Sequence, residues 1–147
     1  MIMNQRANLM AVLGERGYRI TVPRVMIARL IEQKREGFTA QALCEELPSV
    51  GRATVFRTLK LFLEAGMLCK LDSLGGAPIY SLCERGHHHH SVCVVCGAVE
   101  EFRLATVERL MRAISNDAPG QTIGHRIELY VDCLYANCEI CPRNSRN

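Results

Sequence analysis

Two pairs of cysteines, each with a two-residue spacer, are the side chains of this sequence best suited to metal chemistry. Cys93 pairs with Cys96, and Cys138 pairs with Cys141. A tight turn within each pair directs both sulfurs at one ion, and two such turns complete the tetrahedral shell of a structural zinc. Because four thiolates leave no open coordination position, this zinc is expected to stabilise the fold and to catalyse nothing. The alternatives are a thiol redox pair or buried cysteines, but matched pairs favour zinc.

A run of four histidines, residues 87–90, leads directly into the first cysteine pair. Successive side chains of a β-strand face opposite sides, so His88 and His90 share one side while His87 and His89 share the other. One run can therefore supply ligands to two metal sites. The alternative interpretation is a solvated histidine cluster with incidental metal affinity.

The chain has 147 residues and a formal net charge of +3, which is unevenly distributed. Residues 1–86 carry 12 basic and 8 acidic side chains, whereas residues 87–147 carry 6 and 7. The first part is thus the candidate for a polyanion, although a solvated surface often carries as much charge. Six of the eight cysteines and all five histidines lie from residue 83 onward, so the second part is the candidate for metal binding.

Export and membrane signals are not evident in the sequence. The N-terminal segment MIMNQRANLMAVLGERG has no apolar run long enough for a signal peptide core, and no segment approaches the roughly 20 apolar residues of a membrane span. We therefore expect a cytoplasmic protein with no membrane partner. In a reducing compartment, metal coordination or redox chemistry explains eight cysteines better than a disulfide framework does. Cys44 and Cys133 are interpreted as core cysteines.

The first 82 residues are predicted to form helices followed by a β-hairpin, because apolar residues recur at helical spacing between turn and cap signals. Four helices are predicted. The first spans about 4–16, the second begins after Thr21 and Pro23 and ends before Gly37, the third is capped by Thr39 and closed by Pro48, and the fourth runs from Arg52 to Ala65. The last helix has an apolar stripe of Val55, Leu59, Phe62 and Leu63. Arg57 and Lys60 lie on its opposite side. Two strand-like runs around Gly75 and Gly76 complete the pattern of a winged helix-turn-helix.

From residue 87 the pattern changes to strands rich in β-branched residues with one amphipathic helix between them. The apolar positions of that helix are Val107, Leu110, Met111 and Ile114. The predicted fold class is α+β. Residues 1–82 are predicted to form a winged-helix DNA-binding domain, residues 83–86 a hinge linker, and residues 87–147 a small α/β metal-binding domain with the four-cysteine zinc.

Three stretches of the sequence resemble the ferric uptake regulator (Fur) family. HHHHSVCVVCGAVEEF resembles its His-rich strand and CxxCG motif, and GYRITVPRVMIARLI and GRATVFRTLKLFLEAGML resemble its DNA-binding helices. The resemblance spans about residues 7–141. It implies a homodimeric repressor, not an enzyme, that uses a metal as co-repressor to control metal-uptake genes. Residues 87–147 would then be its dimerisation domain. Its DNA partner would be a double-stranded, A/T-rich palindromic operator.

The resemblance also implies three metal sites. The structural zinc would be bound by the four paired cysteines. A second site would comprise His87, His89, Glu108 and His125, with His89 at a position often held by Asp. A regulatory site would include His88 and His90. Iron sensors of the family complete that site with a histidine and a glutamate, but the matching positions here fall near residues 36–38 and at Ser81.

Sulfur takes the place of these missing ligands, since Cys83 precedes the histidines and Cys69 lies in the predicted wing. This resembles the zinc uptake regulators, and thiolate with imidazole favours zinc over ferrous iron. We expect a regulatory zinc on Cys69, Cys83, His88 and His90, with Asp72 and Glu101 as reserve ligands. Cys69 has the alternative role of a buried small hydrophobe. Iron or peroxide sensing is the alternative function, and Fe²⁺ or Mn²⁺ are alternative ions at the non-structural sites.

Five residues are candidate DNA contacts. They are Arg19, Arg52, Thr54, Phe56 and Arg57. The last predicted helix would enter the major groove, with Arg57 directed at phosphate or guanine and Arg52 at backbone or base. Phe56 replaces the family's usual Tyr and keeps apolar contact with a thymine methyl. Arg19 matches a family position that enters an A·T-rich minor groove.

Two other classes of protein compete with the repressor. A zinc hydrolase could use the histidine cluster with Glu100, Glu101 or Glu108 as base, but it needs an open coordination position and no HExxH motif is present. A zinc-ribbon adaptor would bind protein alone, and the winged-helix pattern argues against it. Metal-dependent, salt-sensitive DNA binding discriminates the repressor from both.

Overall fold

The computed structural model describes residues 8–34, 36–74, 76–83 and 86–132. The chain divides into two compact units, residues 1–85 and residues 86–147. This division falls within the predicted linker. The first unit is mainly helical with one hairpin, and the second combines a sheet with one helix, so the predicted α+β class is confirmed.

Four helices make up most of the first unit. They are α1 (Leu9–Glu15), α2 (Val22–Gln33), α3 (Ala40–Glu46) and α4 (Arg52–Glu64). Side-chain caps explain two of the starts: Asn8 Oδ1 accepts from Ala11 N at 3.0 Å, and Thr39 Oγ1 accepts from Ala42 N at 3.1 Å. Because Asn8 is extended and caps α1, this helix begins later than the predicted start near residue 4, and residues 1–7 lie outside the described part.

The core of the first unit lies between α2, α4 and their neighbours. Its fully or almost fully buried side chains are Leu9, Leu13, Ile27, Ile31, Leu43, Val55, Leu59 and Phe62. Leu63 is only partly buried at the edge of this core. The apolar stripe of α4 thus packs inward, which leaves Arg52, Phe56 and Arg57 exposed on its other face. Burial on one face alone fixes the rotation of the helix.

A two-stranded antiparallel hairpin follows α4. Strand β1 (Leu68–Leu71) pairs with β2 (Ile79–Leu82), with Leu68 opposite Leu82 and Leu71 opposite Ile79. A backbone bridge between Phe38 and Tyr80 ties the hairpin to the segment before α3. The hairpin lies where the sequence predicts it, although Gly75 of its connection lies outside the described residues.

The second unit contains a three-stranded sheet in the order β4–β3–β5 and one helix. The strands are β3 (His89–Cys93), β4 (Val99–Phe102) and β5 (Glu128–Val131), and the helix is α5 (Ala105–Asp117). The central strand β3 is antiparallel to β4 and parallel to β5. It carries the second half of the histidine run, His89 and His90, and ends at Cys93, the first cysteine of a pair. The sheet therefore places the metal-ligating residue types at its centre.

The helix α5 has no buried residue within the described part of the chain. Its apolar side includes Leu110 and Ile114, which are 59% and 52% exposed, with Val107 and Met111 half-buried beside them. None of the described helices is long and apolar enough to cross a membrane.

Candidate metal centres and nucleic-acid interface

Three histidines and one glutamate of the second unit converge on one point. His87 precedes β3, His89 begins it, Glu108 lies in the first turn of α5, and His125 precedes β5. One ligand atom from each lies within 4.8 Å of the other three. The sequence named this set only through the family resemblance, and the fold brings all four side chains together.

The contacts within this His/Glu cluster centre on the carboxylate. Oε1 of Glu108 lies 2.8 Å from His89 Nε2 and 3.3 Å from His87 Nε2, and its Oε2 lies 3.7 Å from His125 Nε2. The hydrogen bond from His89, and then the neighbouring imidazoles, lower the pKa of Glu108 below its ordinary value. The carboxylate is thus ionised at neutral pH. Three imidazoles and one carboxylate form a donor set that fits a divalent transition metal.

Two histidine nitrogens in the second unit indicate a missing partner. His87 Nε2 and His125 Nε2 face each other at 3.0 Å, so at most one of them carries the shared proton. His89 is completely buried, and its Nδ1 has no hydrogen-bond partner among the described residues. The facing nitrogens of His87 and His125, which converge with Glu108, fit a bound cation. Nδ1 of His89 is on the other edge of a ring whose Nε2 meets Glu108, so it does not face this cluster.

His88 and His90 face the other way and meet Glu101 of β4. Their Nε2 atoms lie 3.7 Å and 3.9 Å from Glu101 Oε1, and their ring centroids are 4.8 Å apart. His89 and His90 are consecutive on β3, so strand alternation puts them on opposite sides. The sequence named Glu101 only as a reserve ligand, whereas the β3–β4 register places His90 directly opposite it.

Both of these imidazoles are suited to bind a metal. Burial, and then the neighbouring His88, lowers the pKa of His90 to about 4, so its ring is neutral at physiological pH. Its Nε2 is buried and without a hydrogen-bond partner in the described structure. Nδ1 of His88 lies 2.8 Å from the carbonyl oxygen of Gly86, which favours the tautomer that leaves Nε2 unprotonated. Neutral imidazole nitrogen is the form that ligates metals.

Cys69 and Cys83 of the first unit are brought together by the hairpin. Cys69 lies in β1, and Cys83 follows β2 with its backbone N–H donating to Met67 O at 3.1 Å. Their Cα atoms are 5.6 Å apart and their sulfurs form a disulfide, the oxidised form of a pair that the sequence predicts as two thiolate ligands. The strand register brings the two cysteines close together, because Ser81 is opposite Cys69 and Cys83 is two residues after Ser81.

Asp72, the other reserve ligand, has a local role at the end of β1. Its Oδ1 accepts a hydrogen bond from Leu74 N at 3.2 Å, as in an Asx-turn, and Leu74 has a positive φ of 53°. Asp72 therefore shapes the hairpin connection. Glu101 is the better placed of the two reserves for the histidines of the second unit.

The first CxxC pair forms a tight turn after β3. Gly97 N donates to Cys93 O at 2.9 Å, and Val95 N donates to Cys93 Sγ at 3.4 Å. Gly97 has a φ of +73°, which a glycine adopts without strain. Cys138, Cys141 and Cys133 lie outside the described residues, so the four-cysteine zinc stays a prediction. Cys44 packs half-buried against the core of the first unit.

Four of the five predicted DNA contacts lie on α4. Arg52, Phe56 and Arg57 are exposed, and Phe56 exposes 43% of its surface. Thr54 is half-buried, and Arg57 Nη2 lies 3.4 Å from its Oγ1. The guanidinium of Arg52 lies 5.3 Å from the Phe56 ring centroid. These side chains form one basic and aromatic surface suited to a DNA groove.

Arg19 and Gln41 each accept a hydrogen bond from an arginine of the first unit. The exposed Arg19 precedes α2, and its carbonyl oxygen accepts from Arg24 Nη1 at 2.5 Å. Gln41 of α3 accepts from Arg52 Nη1 at 2.6 Å. Gln41 could not be identified from the sequence, because a polar residue in the first turn of a short helix belongs to no motif or periodic pattern.

Comparison with known proteins identifies the family. The model of the ferric uptake regulator family matches residues 15–130. The chain belongs to this family. A ferric uptake regulation protein of Legionella pneumophila is 35% identical over 126 residues, covering 82% of this chain and 93% of the relative.

Solved structures of Fur-family regulators have the same fold. A zinc-bound manganese uptake regulator is 31% identical with a TM-score of 0.68, covering 87% of this chain and all of that chain. A zinc uptake regulator complexed with zinc and DNA is 26% identical with a TM-score of 0.62, covering 85% and 87%. This chain is therefore a metal-responsive transcriptional regulator with the N-terminal DNA-binding and C-terminal dimerisation architecture of the Fur family. The relatives differ in the metal that their names give, so the comparison does not decide between zinc, iron and manganese for this chain.

Proposed function

We propose that this Fur-family protein is a zinc-responsive repressor that binds palindromic, A/T-rich operators of metal-uptake genes when zinc is abundant. The observation that carries the choice of metal is the pairing of Cys69 with Cys83, which puts two sulfurs at one point of the hairpin. Reduced, the pair supplies two soft ligands, and thiolates select zinc over the harder ferrous and manganous ions.

The proposed regulatory site combines those thiolates with the histidines of the second unit. Its ligands are Cys69, Cys83, His88 and His90, with Glu101 as the reserve closest to both histidines. The neutral state of His90 and its partnerless Nε2 support a ligand role. Since the thiols and the imidazoles belong to different compact units, an ion bound by both would restrict their relative orientation. If one orientation fits DNA, zinc and operator each strengthen the binding of the other.

The His87, His89, Glu108 and His125 cluster is proposed as the second metal site. Its donor atoms already converge within the second unit, which supports a cation of low coordination number. Imidazole and carboxylate ligands accept zinc, and they also accept Fe²⁺ or Mn²⁺. The structural zinc is proposed at Cys93, Cys96, Cys138 and Cys141, where it would cross-link the two CxxC pairs of the second unit.

The apolar side of α5 is proposed to face a second copy of the chain. Leu110 and Ile114 are more than half exposed on a helix that buries none of its residues within the described chain. A contiguous apolar helix face of this kind is typical of a homodimer interface. Two-fold symmetry of the dimer would match the two half-sites of a palindromic operator.

DNA binding measured against separate metals tests this function. The protein, reduced and depleted of regulatory metal, is titrated anaerobically with zinc, manganese and ferrous iron in the presence of a duplex selected from a random library. We expect zinc to induce binding at free concentrations well below those needed for the other two. Induction by ferrous iron or manganese at lower concentrations than zinc would transfer the assignment to that metal.

The zinc hydrolase remains a distinct candidate only if the His/Glu cluster activates water. Four side chains already converge there, which leaves no evident coordination position for a substrate. Absence of zinc-dependent DNA binding, together with ester or amide hydrolysis that is lost in His87→Ala, would support the enzyme.

A further inference from the structure

Arg52, the first residue of the exposed DNA-facing helix α4, is held on two sides. Its Nη1 donates to Gln41 Oε1 at 2.6 Å, and its guanidinium lies 5.3 Å from the ring centroid of Phe56, one turn later. Gln41 belongs to α3, the helix before α4. The contact therefore links the two helices of the helix-turn-helix through side chains on their exposed surface.

Glu45 determines which way the Gln41 amide points. Gln41 Nε2 donates to Glu45 Oε1 at 2.8 Å. An ionised carboxylate only accepts hydrogen bonds, so the amide nitrogen must face Glu45, and the amide oxygen is then directed at Arg52. The order of contacts is Glu45, Gln41, Arg52 and Phe56. Glu45 thus orients Gln41, and Arg52 is contacted by Gln41 on one side and by Phe56 on the other.

Such restraint matters for an arginine that recognises a base. A free arginine loses much rotamer freedom when it binds, whereas a side chain already held in position loses less. Gln41 uses one N–H of a guanidinium that has five, and the remaining donors can form the bidentate pair with O6 and N7 of guanine. The Phe56 ring, 5.3 Å from the guanidinium carbon, is within the range of a cation–π contact, which attracts the charge without using any of its N–H donors.

We propose that Gln41 and Phe56 are positioning residues that orient Arg52 to recognise a guanine in the major groove. The operator would then contain a G·C pair at a fixed position in each half-site of an otherwise A/T-rich sequence. This inference rests on the proposed DNA-binding function. The competing explanation is an ordinary surface network, in which exposed polar contacts contribute little and leave base preference unaffected.

Selection from a random duplex library with the zinc-loaded, full-length protein tests the proposal. The wild-type protein should enrich a half-site that contains one invariant G·C pair. Affinity is then measured for the selected duplex and for a duplex in which that pair is A·T. Arg52→Ala should reduce the discrimination between them by about 5- to 150-fold, the range expected for one bidentate base contact.

Variants of the positioning residues separate the proposal from a structural role. Gln41→Ala and Phe56→Leu should each lower discrimination at the same base pair, while thermal unfolding and zinc content stay close to wild type. Gln41→Glu keeps an oxygen for Arg52, so it should retain the discrimination, although its added negative charge should weaken binding to all duplexes. In the Arg52→Ala background, Gln41→Ala should have no further effect, because the two residues act through one contact.

Lys60→Ala is the matched control. Lys60 is exposed on α4 and pairs with Glu64, outside this network. Its loss should weaken binding to both duplexes by the same factor. Equal weakening by Gln41→Ala, or an additive effect of the double variant, overturns the positioning role while leaving DNA binding intact. Failure of the wild-type protein to enrich any duplex overturns the proposed function as well.

Discussion

His89 Nε2 lies 2.8 Å from Oε1 of Glu108, and this contact joins the first residue of β3 to the first turn of α5. The helix buries none of its side chains within the described part of the chain, so apolar packing inside the second unit contributes little to its position. The contact with His89 and a metal shared by the same residues would hold α5 against the sheet.

Loss of metal from the second site is therefore expected to loosen α5. Glu108→Gln and His125→Ala should each lower the bound metal by one equivalent per chain and increase hydrogen exchange of the α5 amides. Exchange of α4 amides in the first unit is the internal control and should not change. Equal protection of α5 with and without metal would show that the helix is held by other contacts.

The structural zinc should be required for folding of the second unit. Cys96→Ser or Cys138→Ser should remove one tightly held zinc per chain, because each variant leaves only three thiolates. Zinc at such sites contributes on the order of 10 kcal/mol, which a small domain cannot replace. Zinc content after mild chelation and circular dichroism measure the effect, with Cys44→Ser as the control. A folded, zinc-free dimer of either paired-cysteine variant contradicts the assignment.

Arg57→Ala should weaken operator binding without changing metal content. The side chain is exposed on α4, where its guanidinium contacts the Thr54 hydroxyl, so its removal leaves the core unaffected. If it contacts phosphate, the slope of log affinity against log salt should decrease in magnitude by about 1. Fluorescence anisotropy over a salt series measures this slope. An unchanged affinity would place the DNA-binding face of α4 elsewhere.

Periodicity was sufficient to predict most of the first unit. Apolar spacing located the four helices to within a few residues, and the stripe that includes Val55 and Phe62 packs inward as expected. The start of α1 differed because the Asn8 cap, which is a local hydrogen bond, overrides the apolar pattern. The predicted strand over the whole histidine run was wrong at its start, because β3 begins only at His89.

Contacts between residues distant in sequence could not be predicted from spacing. Glu101 meets His88 and His90 because of the β3–β4 register, and a single sequence does not specify that register. Gln41 contacts Arg52 across the turn between two helices, where no periodic signal exists. Strand alternation did predict that the histidine run divides between two sides, because it depends only on neighbours in the chain.

The last prediction concerns Cys83 and Cys69, the two sulfur ligands proposed for the regulatory zinc. Cys83→Ser should abolish zinc-stimulated DNA binding and spare both the structural zinc and the dimer, since Cys83 belongs neither to the two CxxC pairs nor to α5. Cobalt bound in place of zinc should show thiolate-to-metal charge transfer that weakens in Cys83→Ser and again in Cys69→Ser. Cys44→Ser serves as the control, because Cys44 packs against the core of the first unit.

Oxidation provides an independent test of the same two sulfurs. Hydrogen peroxide can convert the Cys69 and Cys83 thiols to the disulfide that the hairpin geometry accommodates, with the two protons and the peroxide oxygens leaving as two waters. The oxidised protein lacks both sulfur ligands, so it should need far more zinc to bind DNA, and a thiol reductant should restore the response. If Cys83→Ser, or the oxidised wild-type protein, responds to zinc at the concentrations that the reduced wild type requires, sulfur is not part of the sensor. A wild-type zinc response in Cys83→Ser would favour the iron or peroxide alternative, whereas an unchanged response of the oxidised wild type would favour iron.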